Sequence, residues 1–175
     1  RLYYTQDAHR YRYWTLRPKL SLAYALSDGL QLSYDFSIRE KVSRMAFISD
    51  AAIRNNSMEW TVGNPDLRPN RETEHTLRLS YSTDRWQAYI DGYYKRCSKP
   101  NMAHYQRTDD NQFIYTQTNQ KEIDVVQSMA YASYWAIPEK LQLMVYRGLF
   151  RCLNFGSDYT HCYTSYFCVG SVTAY

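Results

Sequence analysis

The sequence predicts an all-β protein, an antiparallel up-and-down meander of about seven long strands of the kind that walls a transmembrane β-barrel. Three observations carry this. Apolar and polar residues alternate with period two over long runs. Short and long connections follow one another along the chain. Tyrosine is unusually abundant, with 19 among 175 residues. Successive side chains on a strand point to opposite faces, so alternation yields one apolar and one polar face. Tyrosine suits both strands and membrane–water interfaces, because its ring is apolar and its tip polar.

The first expected strand places Trp14, Leu16, Leu20, Leu22, Tyr24 and Leu26 on one face. Thr15, Arg17, Lys19, Ser21, Ala23 and Ala25 take the other. Pro18 interrupts the apolar face and lacks a ladder donor, which points to a bulge or an edge. Ser27-Asp28-Gly29 is a short hairpin turn. Leu30, Leu32, Tyr34, Phe36 and Ile38 then alternate with Gln31, Ser33, Asp35, Ser37 and Arg39. A helix would smear both classes around its circumference.

The pattern returns in Leu77, Leu79 and Tyr81, turns at Ser82–Arg85, and continues in Trp86, Ala88, Ile90, Gly92 and Tyr94. A third hairpin is expected around Ile137–Lys140, between strands near Ile123–Trp135 and Leu141–Asn154. Alternation is poorer there, as a bulge or a doubly buried strand would produce. The last expected strand is Thr164–Tyr175. Trp14, Trp86, Trp135 and several tyrosines are expected on the outer, apolar face near the strand ends, as an interfacial girdle. The links between hairpins are longer and polar, about Met45–Asn70, Gln106–Lys121 and Phe155–Tyr163. In a meander all short links fall at one end and all long links at the other, as in outer-membrane barrels.

Composition excludes other classes. There is no apolar run long enough for a transmembrane helix, and the mean hydropathy is −0.63. The net charge of +4 is scattered, without the basic face a nucleic-acid partner would need. Cys97, Cys152, Cys162 and Cys168 lack zinc spacing and read as four unrelated small residues, although an oxidising compartment would permit a disulfide at Cys162. His9, His75, His104 and His161 fall in no ligand motif. No nucleophile–base set, phosphate loop or paired-acid motif stands out. The expectation is therefore no enzyme, with no catalytic, cofactor-binding or metal-binding residues. Glu72 and Glu74 share a strand face near Arg71 and Arg78, which predicts a lumenal ion network. Arg17, Lys19, Asp35, Arg39, Asp91 and Lys95 are expected to line the same lumen.

Gly63-Asn64-Pro65-Asp66-Leu67-Arg68-Pro69, with Glu72 and Glu74 following, resembles the GNPxLxPE-type signature of TonB-dependent receptors. Asn70 stands where that family usually has Glu. Tyr34–Arg39 and Tyr93–Arg96 resemble the flanking strands, and the chain is most similar to the outer-membrane β-barrel proteins of Bacteroidetes-type bacteria. The resemblance implies a cell outer membrane location and uptake of a large nutrient such as a metal chelate or glycan. It implies as partners outer-membrane lipid, a plug domain, an energy-coupling protein and an unknown nutrient ligand. The plug and the energy-coupling box are not visible in this sequence. Residues 1–175 are expected to form a single barrel segment of an open or incomplete barrel, a fragment, because the strand count is odd and the chain begins at Arg1 without an export signal. The competing reading is a soluble β-sandwich binding or adhesin module for carbohydrate. From the residues alone, the Gly63–Pro69 stretch is a stiff lead-in that sets where the next strand begins.

Overall fold

The computed structural model describes residues 15–156 and 160–175. The strands are β1 (Lys19–Ser27), β2 (Leu30–Lys41), β3 (Ala52–Arg54), β4 (Glu59–Val62), β5 (Asn70–Ser82), β6 (Trp86–Ser98), β7 (Asn101–Arg107), β8 (Phe113–Asn119), β9 (Glu122–Ile137), β10 (Leu141–Phe155) and β11 (Thr160–Ala174). One short helical turn, α1 (Met45–Ile48), precedes β3.

Seven strands form the main sheet in the order β1-β2-β5-β6-β9-β10-β11, every neighbouring pair antiparallel. With the loop strands set aside, this is sequence order, the expected meander. Among the described residues it is a single open layer with β1 and β11 at its edges, not a two-layer sandwich. Its strands are long. β9 has 16 residues, or about 50 Å of strand, and tilted by ~40° it overshoots an apolar band of ~25 Å.

Register shows what each face is made of. Leu22, Tyr34 and Leu77 stand abreast on β1, β2 and β5. Leu32, Leu79, Ile90 and Ala130 do so from β2 to β9. This apolar face is not covered by protein: Leu22, Leu77 and Ile90 are each more than half exposed. The opposite face carries Ser33, Arg78 and Asp91 in the matching row. A sheet that exposes one continuous apolar face needs an apolar solvent.

Aromatic residues gather where the short turns lie. Trp86 stacks on Tyr134 at 4.5 Å between ring centroids, both on the apolar face. Trp135, expected on that face, alternates to the other one and packs against Tyr175 at 5.7 Å. The position of Trp14 lies outside the described residues. Gly29 sits at φ 78 in the β1–β2 turn, a conformation that favours glycine, and its carbonyl accepts from the Ser82 amide at 2.8 Å. Pro18 lies just before β1, where its missing donor breaks no ladder, and its carbonyl accepts from Ile38.

Two expected connections are strands instead. The Met45–Asn70 link contains β3 and β4, and Gln106–Lys121 is mostly the hairpin β7–β8. These four build a second sheet, β3-β4-β8-β7, in which β4 and β8 run parallel. β6 passes into β7 after a bend at Lys99, whose φ is 55, and the true turn comes only at Thr108–Gln112. The third connection is shorter than expected, since β10 reaches Phe155 and β11 begins at Thr160.

Candidate functional site: the lumenal wall and its loop sheet

The polar face of β2, β5 and β6 carries a chain of ion pairs. Lys41 Nζ donates to Glu72 Oε1 at 2.9 Å, and Lys95 Nζ lies 3.0 Å from the same oxygen. Lys95 also approaches Glu74 at 3.7 Å, and Glu74 pairs with Arg39. Two rows nearer the short turns, past Thr76 and Tyr93, Arg78 donates to Asp91 at 2.7 Å and lies over the Tyr89 ring. Ser21 donates to Asp35 at 2.6 Å. Cross-strand opposition brings these groups together, because Glu72, Glu74 and Asp91 each face a cation on a neighbouring strand, whereas Asp35 faces Ser21 and Thr76.

The expected network is present with different partners. Asp35, Arg39, Glu72, Glu74, Arg78, Asp91 and Lys95 share the polar face, as does Lys19 opposite Ser37. Arg17 borders a cleft of about 560 Å³ with Asp35, Arg39 and Glu74. Arg71 does not join them. It is adjacent to Glu72 in a strand and so points to the other face, opposite Ser98. Lys41, which sequence reasoning left out, takes its place. Its signal was parity with Arg39.

Further along the sheet this face turns from charged to aromatic. Tyr89 stacks on Tyr131 at 5.2 Å, Tyr146 packs on Phe167 at 5.2 Å, and Phe150 meets Tyr163 at 6.2 Å. β10 thus presents Tyr146 and Phe150 where β2 presents Asp35 and Arg39. That accounts for its poor alternation in the sequence, together with the bulge opposite Leu141.

The loop sheet touches the polar side of the main sheet through β7. Asn154, on the polar side of β10, reaches Met102 of β7, and Ser43, just past β2, accepts from Asn101 of β7. The Gly63–Pro69 segment fastens it in place. Asn64 Nδ2 donates to the Gln117 carbonyl at 2.9 Å, and the Arg68 amide donates to Asn119 Oδ1 at 2.8 Å. Asn119 Nδ2 returns a bond to the Arg68 carbonyl and another to that of Lys99. The Asn64 side chain also accepts from the Asp66 amide, closing an Asx turn. A side chain at Gly63 would strike the Ser49 carbonyl, so only glycine fits. Leu67, 2% exposed, and Ile48, 4% exposed, are the buried apolar residues of this loop module. The motif is a clamp whose polar groups bond within the protein.

The four cysteines are free. Cys97 and Cys152 take the polar face, opposite Glu72 and Tyr163, whereas Cys162 and Cys168 take the apolar one. His75 sits on the apolar face and is hydrogen-bonded to the Tyr34 hydroxyl at 2.8 Å. Among the described residues, no three His, Cys, Asp or Glu side chains gather as a metal-ligand set.

An apolar sheet face open to solvent, a charged face opposite, and long links gathered at one end decide the class. Residues 1–150 match the outer membrane protein beta-barrel family. The chain belongs to that family. Its place is the cell outer membrane, and its apolar face meets lipid. The fold is also that of solved receptors. The siderophore receptor PirA from Pseudomonas aeruginosa superposes with a TM-score of 0.64 at 14% identity, over 89% of this chain and 34% of the receptor. The copper transporter OprC gives 0.55 at 16% identity, over 81% of this chain and 24% of the transporter. The chain thus spans about a third or less of these barrels. No curated protein matches it.

Proposed function

We propose that residues 1–175 form a single wall segment of a TonB-dependent-receptor-like barrel that takes up a large nutrient, such as a metal chelate or a glycan. One observation carries this reading: a loop sheet, tied together by the Gly63–Pro69 segment and reaching the polar face at Asn154, beside a wall that is charged at one side and aromatic at the other. A wall of this kind offers ion pairs and stacking surfaces to a bulky polar solute, and the loop sheet stands where such a solute would enter. The parent barrel would hold a plug domain and draw on an energy-coupling protein. The segment acts as wall and gate, not as a catalyst. Its ion pairs neutralise one another across strands, which suits a structural lining better than acid–base chemistry.

The test is uptake in cells that carry or lack the parent gene, using radiolabelled iron chelates and oligosaccharides, with the inner membrane energised or collapsed by a protonophore. Energy-dependent uptake of one solute class, lost with the gene, is the expected result. Uptake that persists after collapse would identify a passive pore and overturn the proposal.

A further inference from the structure

The lipid-facing side of the main sheet keeps a regular interval between the short turns and the first ionised residue. On β2 it runs from Leu30 to Glu40, and on β5 from Tyr81 back to Arg71. On β6 it runs from Trp86 to Arg96, and on β9 from Tyr134 back to Asp124. Each stripe is about 33 Å of strand, or about 25 Å of membrane at a tilt of ~40°, which matches the apolar band of such barrels. At its far edge Arg96 and Asp124 pair with each other at 2.9 Å.

β10 breaks the interval. Leu143, Val145, Arg147, Leu149 and Arg151 follow one another on its lipid-facing side. Arg151 falls at the far edge, level with Arg96 when counted from the turn. Arg147 lies about 20 Å along the strand from Leu141, hence about 15 Å above the turn, inside the band. It is exposed, between Ala130 on β9 and Cys168 on β11. It has no ion pair or hydrogen bond among the described residues. A lone arginine near the bilayer midplane of a barrel is strongly unfavourable. Its stem of about 6 Å falls short of the phosphates at either surface.

We propose that the outward face of β10 and β11 around Arg147 is a docking surface for a membrane-embedded protein that presents a carboxylate to the guanidinium. Charge complementarity inside hydrocarbon calls for an acidic group from outside this wall segment, since the lipid phosphates lie beyond reach, and the outward face of β10 and β11 is open to a neighbouring membrane protein. The surroundings allow close approach. Ser128 and Ala130 on β9 and Gly170 on β11 flank the arginine with little side chain. Tyr166, 83% exposed, stands beside Leu149 as an aromatic anchor.

Two measurements on the full-length parent barrel test this. In phosphatidylcholine vesicles without other protein, Arg147→Leu should raise the folding equilibrium constant on the order of 30- to 700-fold in urea titrations. An unchanged or lowered constant would place Arg147 outside hydrocarbon and overturn the proposal. A gap that closes on adding phosphatidylglycerol would assign the arginine to lipid phosphate and overturn it equally. In intact outer membranes, a photo-crosslinking residue at Tyr166 should give one protein adduct that Arg147→Lys keeps and Arg147→Leu loses. A carbodiimide should join the amine of Arg147→Lys to a carboxylate of the same protein. Adducts indifferent to residue 147 would sink the idea.

Discussion

The main sheet and the loop sheet are held together by opposite means. The main sheet pairs its long strands in the order in which they follow along the chain, all antiparallel, and its apolar residues face outward to lipid. The loop sheet joins segments far apart, through the parallel β4–β8 ladder and the Asn64 and Asn119 side chains. It buries Ile48 and Leu67 in a small conventional core. One region needs its solvent to be apolar. The other turns its few apolar side chains inward and ties its polar groups to one another. A membrane protein can thus carry two folding rules in one chain, divided where the strands leave the bilayer.

The largest effect that separates them is removal of amphiphile. The parent barrel should keep its heat-modifiable gel migration in detergent and lose it, with precipitation, when detergent is withdrawn. A monodisperse, folded, detergent-free parent would erase the distinction. Next comes Leu32→Arg, which puts a charge on the lipid face and should cost about 2–4 kcal/mol in urea titrations from vesicles. Leu67→Ala should open a cavity of similar local cost, about 2–4 kcal/mol. Its effect should appear as faster proteolysis and amide exchange in residues 45–69 and 99–119, with the amides of the seven main-sheet strands unchanged. Uniform loosening of both sheets would show that they unfold as one. Glu72→Gln weakens two ion pairs at a buried carboxylate and should cost about 1–2 kcal/mol. Ser33→Arg on the lumenal face should cost the least, about 0.5–1 kcal/mol, since its one penalty is Arg78 directly across.

The same division decides what the sequence discloses. The seven main strands are legible because period two is a local signal and lipid makes it strict. The loop strands are not, since β4 finds β8 only in the folded chain. The run Phe113-Ile114-Tyr115-Thr116 did carry strand preference, but its polar neighbours masked it. Trp135 fell on the unexpected face because β9 alternates weakly, and the register of β6 and β10 chooses between it and Tyr134. In the candidate site the carboxylates Glu72 and Glu74 were visible as neighbours of like parity. Lys95, and by parity Lys41, belong to the same face in the sequence, but which carboxylate each one meets follows only from register.

The parallel β4–β8 ladder has an evolutionary consequence. Outer loops of barrels tolerate insertions when each is free to lengthen by itself. Here Glu59, Trp60 and Thr61 are matched residue for residue to Phe113, Ile114 and Tyr115. A residue inserted within either segment shifts the ladder and turns every later side chain of that strand to the opposite face. Length change in this lineage should therefore collect outside the ladder, at Asn55–Met58 and at Thr108–Gln112, where the hairpin tips leave the chain free to grow.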